Sequence, residues 1–478
     1  MTYLRRNWAF VLFAAILFII NGFLLNDVAS IWSGAETSVV TRAQAGVQAQ
    51  LPVDVARLTG AANSLSGLVL RLPGLVLCVL ALTVFFFLGR RVFGVHITLH
   101  ALLVLLAGFW VVTLAKLGSG DVWLLAFQMT GMLGVILFLK RPIATYRLLT
   151  YVMILLSIWV DAFSSSLLFV FFPLILVFLH PQGKRLVALH TWFFAAASVG
   201  LLYVAGVLEW MPDIQYTGWG RMSWGRFSIF LLLSILPFLG FFFAGLWDSV
   251  QKARKGEELA LILLIWIVLG VALQSPAVIG GVALLTGKHL HDYFLKNYPH
   301  DNIVKVTMLL HLIGFFFVAM ILMLGGFFQY RGVGFRSGMA FSAVYWMMSF
   351  VGVIGLYGHN QRFVLGGSTL AGLLAVALFW LQVFPLWEQQ RPARTVVEVV
   401  EDIGTDTRNV LLLGPLTGAE ALPLYLAKAG KIVKTEKAAG EAFELMIAPV
   451  DSSISYANQD TVQMLNDHLE LSRYVIGH

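Results

Sequence analysis

The chain is short of charge. Only 12% of its 478 residues are Asp, Glu, Lys or Arg, while 59% are hydrophobic and the mean hydropathy is +0.84. Soluble proteins carry about twice that charged fraction. Most of this chain is therefore built for a solvent other than water, and a soluble enzyme is excluded. It has a single cysteine, Cys78, inside an apolar run. That rules out an intramolecular disulfide and leaves the redox compartment unread. There is no basic domain to go with the net charge of +7, so nucleic acid is not an expected partner. Internal repeats and low-complexity segments are also missing.

What charge there is falls unevenly. Residues 395–478 hold 12 acidic and 6 basic side chains, leaving 13 acidic and 26 basic before them. A basic, apolar body of nearly 400 residues precedes a small acidic tail. This predicts an α-helical polytopic membrane protein over 1–390 and a small soluble α/β domain over 395–478. In the tail, NVLLLGP (409–415), KIVKT and ELMIAP read as strands and 418–430 as a helix. The turn at Gly414–Gly418 lacks a full dinucleotide fingerprint or a P-loop lysine, and reads as a packing turn.

A membrane helix needs about 20 apolar residues. About twelve windows qualify, near 8–25, 68–88, 97–116, 122–139, 146–160, 164–180, 186–207, 226–247, 258–276, 304–326, 337–357 and 364–386. Arg5 and Arg6 precede the first window but no small-residue cleavage site follows, so it reads as a span, not a removed leader. Paired cations recur at Arg90/Arg91, Lys140/Arg141, Lys184/Arg185, Lys252/Arg254/Lys255 and Arg331/Arg336. The positive-inside rule makes those loops cytoplasmic. The opposite side then receives 26–67, 117–121, the 161–164 corner, 208–225, 277–303 and 358–363.

Carboxylates are costly in a bilayer, so their places carry information. Asp248, Glu257, Glu258 and Glu388 fall in or near the expected cytoplasmic loops. The other nine before residue 395 are Asp27, Glu36, Asp54, Asp121, Asp161, Glu209, Asp213, Asp292 and Asp301, all expected on the outer face. Acids gathered at span ends suit chemistry at a membrane surface, whereas a lipid or sugar transporter would place them midspan as relays. Handling a lipid phosphate also needs cations, an apolar groove and a proton-accepting carboxylate. Arg71 reads first as a snorkelling anchor and second as a phosphate contact. Asp121 and Asp161 each read as a helix cap or a site residue. His289, His291 and Asp292 have ligand-capable side chains and are the candidates for a divalent metal, although their spacing matches no zinc signature.

Four segments together resemble the GT-C superfamily of polytopic glycosyltransferases, closest to its aminoarabinose-transferase and protein-mannosyltransferase-like branch. GLVLRLPGLVLCVLALTVFFFLGRRVFG (67–94) is similar to the Arg-Leu-Pro entry and Gly-Arg-Arg exit of the family's second span. IWSGAETSVVTRAQAG (31–46) resembles its first-loop segment with an acidic pair after a Trp. GSGDVWLLAFQMTG (118–131) resembles the later Asp that opens the fourth span, and GKHLHDYFLKNYPH (287–300) the Lys-Leu-x-x-Tyr segment before a Pro.

The resemblance implies a polyprenyl-phosphate (undecaprenyl-type) sugar donor and an acceptor on the periplasmic face of a bacterial inner membrane. The acceptor would be lipid A or lipopolysaccharide, another glycan, or a protein. It also implies a first-loop carboxylate base, inversion at the anomeric carbon, and an odd number of spans, against the even number counted above. Glu36 matches the second member of the family's acidic pair, and Ala35 stands where the first would be. Glu36 is the expected base, with Asp27 or Asp54 as substitutes and Asp121 beside it. Lys288, Arg362 and Arg71 are the expected phosphate contacts, with Tyr293, His291 and Asp161 near the substrate. The branch's Glu-Lys-Pro segment is missing, so lipid A is not carried over as the specific acceptor. An oligosaccharide polymerase or ligase is the nearest alternative.

Overall fold

The computed structural model describes residues 2–23, 34–44, 51–61, 66–190, 192, 224–295, 298–384, 409–412, 422, 426, 432–434, 445–449, 459–465 and 471–477. The body is a helical bundle. Its helices are α1 (Thr2–Phe23), α2 (Gly34–Gln44), α3 (Leu51–Leu58), α4 (Gly67–Phe93), α5 (Val95–Ala107), α6 (Phe109–Lys116), α7 (Gly120–Lys140), α8 (Ala144–Val160) and α9 (Ala162–Leu179). Then come α10 (Trp224–Ile235), α11 (Leu239–Arg254), α12 (Glu258–Ala272), α13 (Val278–Tyr293), the helical stretch α14 (Asp301–Tyr357) and α15 (Gln361–Leu378). Among the described residues, five helices are long and apolar enough to cross a bilayer, and α5 with α6 forms a sixth crossing bent by 61°. This is a multi-pass membrane protein.

Contacts between helices fix their directions. Trp8 packs edge-on against Phe86, while Gly22 lies against Leu75, so α1 runs antiparallel to α4. Lys140 at the end of α7 donates to the Val92 carbonyl at the end of α4. One end of the bundle thus collects Arg90, Arg91, Lys140 and the 183–188 turn, where Arg185 reaches the Leu139 carbonyl. The other end collects the start of α4, the end of α6 and the start of α7. The bend between α5 and α6 falls at Gly108, where a Cβ would lie 2.5 Å from the Ser234 carbonyl oxygen. Only glycine permits that approach of α10.

Helix α14 has 57 residues, which as a straight rod would span about 85 Å. It instead doubles back. Tyr293 bonds both Asp301 (2.7 Å) and the Leu356 carbonyl (3.3 Å), His311 bonds Tyr345 (2.8 Å), and Phe315 meets Phe341. The two expected spans at 304–326 and 337–357 are therefore the arms of one hairpin.

The membrane body begins at the basic end with α1 and finishes at the other end with α15, so it makes an odd number of crossings. The count of about twelve misses α13. The segment 277–303 is expected as an outer loop, but Val278–Tyr293 is a helix, buried along most of its length between α5, α11 and α12. Its Gly280, Gly281, Lys288, His289 and His291 keep it from scoring as a span. A helix surrounded by protein has no need to be apolar all round. Because α13 leads the chain from the mid-bundle corner back to the basic end, everything after it lies opposite to the expected side. Residues 294–295, 298–300 and 358–360 lie at the basic end, and the far end of the α14 hairpin lies toward the Glu36 end. Asp292 and Asp301 thus leave the expected group of nine outer acids.

Mid-bundle, Gln128 of α7 donates to Ser165 of α9 (2.9 Å) and accepts from Ser275 before α13. Ser275 in turn accepts from the Ala277 amide (3.2 Å). This chain of bonds ties the α12–α13 corner to the two neighbouring spans. Gln128→Leu is expected to lower the thermal midpoint, at a cost of about 1–3 kcal/mol for leaving the Ser275 hydroxyl proton without its acceptor. An unchanged midpoint in a melting experiment would show the network to be dispensable.

The tail holds a five-stranded sheet of order β2-β1-β3-β5-β4, from β1 (Asn409–Leu412), β2 (Ile432–Lys434), β3 (Leu445–Pro449), β4 (Gln459–Leu465) and β5 (Leu471–Gly477). The first three strands pair parallel, and β4 and β5 add antiparallel. Val410, Leu412 and Ile447 are buried, as are Leu422 and Leu426, one helical turn apart. The rest of 418–430 lies outside the described residues. The β4–β5 hairpin has no counterpart in the sequence reading.

Candidate functional site

At the Glu36 end, two short helices, α2 and α3, precede the α4 span. Val39, Val40 and Ala43 pack on Val53, Ala56, Ala61 and Leu70, which seats α2 against the start of α4. Ser66 caps α4, and Arg71 sits one turn in. Glu36 in the first turn of α2 is fully buried, and Arg71 is 1% exposed. The Arg71 Nε donates to Glu36 Oε1 at 2.7 Å and Nη2 to Oε2 at 3.1 Å. This is a bidentate fork, the strongest form of carboxylate–guanidinium contact. The Gly118 amide adds a third bond to Oε1 at 2.9 Å.

Gly118 is required for that bond. A Cβ there would lie 2.6 Å from Leu70 Cγ. Gly118→Ala is expected to destabilise the protein by about 1–3 kcal/mol and to loosen Glu36, read as a lower melting midpoint and reduced activity together. A midpoint and activity equal to wild type would show that the loop has room to spare.

Just beyond Gly118, Ser119 donates to Asp121 Oδ2 at 3.0 Å. Asp121 stands in the first turn of α7, 7% exposed. Lys116, the last residue of α6, is 2% exposed and stands over the Trp380 ring, 4.9 Å from its centre. Trp380 belongs to a π-helical turn, Phe379–Val383, that ends α15. Asp161, at the junction of α8 and α9 on this same end, accepts from Ser164. Glu36, Arg71, Asp121 and Asp161 therefore share one end of the bundle, and Asp27 lies outside the described residues.

The remaining expected site residues lie at the other end. Lys288 contacts Glu257 at 3.3 Å, and the neighbouring Glu258 meets His180 at 3.5 Å. His291 stacks on His96 at 5.4 Å, just after the end of α4. Tyr293 stacks on His359, and Arg362 follows in the first turn of α15. The 21 residues of α7 separate the two ends by about 30 Å. Lys288, His291, Tyr293 and Arg362 thus do not meet Glu36, because α13 returns the chain to the basic end where an outer loop is expected.

The metal candidates do not converge either. His289 bonds Tyr298 (2.9 Å) and faces Asp248 (3.6 Å), whereas His291 turns toward His96 and His100. Successive positions on a helix point in different directions. No three His, Cys, Asp or Glu among the described residues share a coordination point. Asp248 is instead the hub of a structural cluster, bound to Lys252 (2.7 Å) and His300 (3.1 Å).

Lys116 and Ser119 are the site members that sequence reading missed in this role. The signal for Lys116 was present, as the one Lys or Arg of the 97–116 window, at its last position.

No protein-family model and no curated protein matches the chain. Solved structures do. ArnT from Cupriavidus metallidurans bound to undecaprenyl phosphate superposes with a TM-score of 0.66 at 14% identity, covering 98% of this chain and 97% of that one. ArnT from the same organism in the apo state gives 0.66 and 14%, covering 100% and 98%. The end-to-end match shows that this chain shares the fold of those structures.

Proposed function

We propose that the protein is an integral-membrane glycosyltransferase that moves a sugar from a polyprenyl-phosphate donor to an acceptor hydroxyl at the Glu36 end of the bundle. The observation that carries this reading is the buried polar group of Glu36, Arg71, Ser119 and Asp121 at a membrane boundary, on the fold of a protein solved with undecaprenyl phosphate. In the reaction, Asp121 accepts the proton of the acceptor hydroxyl. The freed oxygen attacks the anomeric carbon opposite the phosphate, the carbon–oxygen bond to the phosphate breaks, and configuration inverts. Arg71 neutralises the departing polyprenyl phosphate.

Glu36 is assigned a positioning role. Both its oxygens are engaged by the Arg71 fork, and the Gly118 amide adds a third donor. A general base must also reach its substrate, and Glu36 has no exposed surface. Lys288, Tyr293, His291 and Arg362 are assigned to the opposite, cytoplasmic end, where they hold α13 and the start of α15. The acceptor is a lipid, glycan or protein of the cell envelope.

The test is transfer of radiolabelled sugar from polyprenyl-phosphate donors to envelope acceptors by the full-length protein in lipid. Transfer lost in Asp121→Asn and retained within about twofold in Lys288→Met is expected. No transfer by wild type from any such donor overturns the reading.

The site and the 395–478 domain are placed on the periplasmic side of a bacterial inner membrane. Support comes from the odd number of crossings and from the cations gathered at the opposite end. Ser452→Cys probes this directly, because the native Cys78 is buried. Labelling of the intact cell from outside is expected, and labelling only after lysis would reverse the orientation.

A further inference from the structure

The corner where α4, α7 and α8 meet at the basic end is built from cations without carboxylates. Arg91 donates to the Tyr146 hydroxyl (2.9 Å), which ties the end of α4 to the start of α8. Lys140 donates to the Val92 carbonyl (2.8 Å), and Arg185 to the Leu139 carbonyl (3.4 Å) and the Gln182 side chain (2.8 Å). Every one of these acceptors is neutral. Arg90 lies over the Phe87 ring, 4.7 Å from its centre, and Arg147 is exposed one residue after Tyr146. Among the described residues, none of these five cations forms an ion pair. Glu258, at the start of α12, is paired with His180 just before the 183–188 turn (3.5 Å). The bonds therefore fix the positive charges in place without neutralising them. Like charges gathered this way repel one another, and an anion among them relieves the repulsion.

Below the corner the surface turns apolar. Leu80 and Phe87 are exposed along α4, and Leu148, Val152 and Leu155 along α8, each set at the spacing of one helix face. Helix α7 packs on both of these helices and is itself buried almost throughout. The stripes belong to the spanning part of the bundle, so their occupant comes from the bilayer. Two stripes under one cluster of cations match a headgroup with two chains, whereas a single polyprenyl chain would leave one stripe bare.

We propose that this corner is a binding site for an anionic two-chain phospholipid. Its phosphate sits among Arg91, Lys140 and Arg147, and its acyl chains lie along α4 and α8. The site stands at the opposite end from Glu36 and does not depend on the transfer chemistry there.

The test is native mass spectrometry of the full-length protein in mixed micelles with phosphatidylglycerol or phosphatidylcholine, together with melting in nanodiscs of either lipid. Wild type is expected to retain phosphatidylglycerol in preference to phosphatidylcholine, and to melt higher in the phosphatidylglycerol nanodisc. The triple variant Arg91→Gln, Lys140→Gln, Arg147→Gln should bind phosphatidylglycerol at least about tenfold more weakly, since each cation near an anionic headgroup adds to the attraction. It should also melt alike in the two nanodiscs. Arg90→Gln with Arg147→Gln, side chains without a hydrogen bond among the described residues, replaces the triple variant if that one does not fold. The control is Arg254→Gln with Lys255→Gln, two exposed cations of the α11–α12 turn, which should bind as wild type does. Phosphatidylglycerol affinity unchanged in the corner variants, or lowered equally in the control, overturns the site, as does equal retention of the two lipids by wild type. Displacement of the phospholipid by an equal concentration of short-chain polyprenyl phosphate would also overturn it, by giving the corner to the donor.

Discussion

Asp121→Asn is expected to lower turnover by about 10²–10⁴-fold, the usual worth of a positioned general base, while leaving the fold and donor binding intact. Asparagine keeps the shape of the side chain and still accepts from Ser119, so the α7 entry stays in place. What it loses is the capacity to take a proton. The loss should appear in kcat, with polyprenyl-phosphate affinity within about twofold of wild type. A variant that retains a third or more of wild-type turnover would remove Asp121 from the chemistry. Asp161, on the same end, would then be the next carboxylate to replace.

The second large effect concerns the Glu36–Arg71 pair. Both side chains are essentially inaccessible, so removing either one strands a charge in a medium that does not solvate it. Glu36→Leu alone is expected to cost about 3–5 kcal/mol, seen as a sharp fall in the thermal midpoint or loss of folded protein. Arg71→Met alone should cost a similar amount. The double variant, with two apolar side chains of comparable volume, should recover most of that stability, since a buried pair seldom outperforms a well-packed apolar replacement. Transfer should not recover, because the cation beside the departing phosphate is gone. A double variant that is active would show the pair to be scaffolding only. One as unstable as the sum of the single variants would show that the two groups do not act on each other.

These predictions separate two roles that look alike in the sequence. Glu36 has the better motif match, since it follows a Trp in the first loop and opens a helix. The structure encloses it, with three donors on two oxygens. Asp121 looks like an ordinary helix-start acid, yet it stands beside that enclosure with a serine as its neighbour. Motif position names the segment that approaches the site, whereas accessibility and bonding decide which oxygen can do chemistry.

Composition alone determined that the chain is a polytopic membrane protein with a small tail, because 12% charge leaves no other solvent for most of its surface. The apolar runs fixed most of the spans, and the order of four short segments pointed to the GT-C fold. Among the described residues, hydropathy misled at α13, a helix whose neighbours are protein; most of the expected span at 186–207 lies outside those residues. Lipid sets no limit on its polarity, so its lysine and histidines gave it the signature of a loop. Overlooking that returning helix moved Lys288, His291, Tyr293 and Arg362 to the end of the bundle opposite from where the structure puts them. Which groups share an end, that Glu36 is locked by Arg71, and that Lys116 turns inward onto Trp380 are all consequences of packing between residues distant in the chain. A linear pattern records each residue's taste for lipid or water, and these partners are chosen by the crossing of helices.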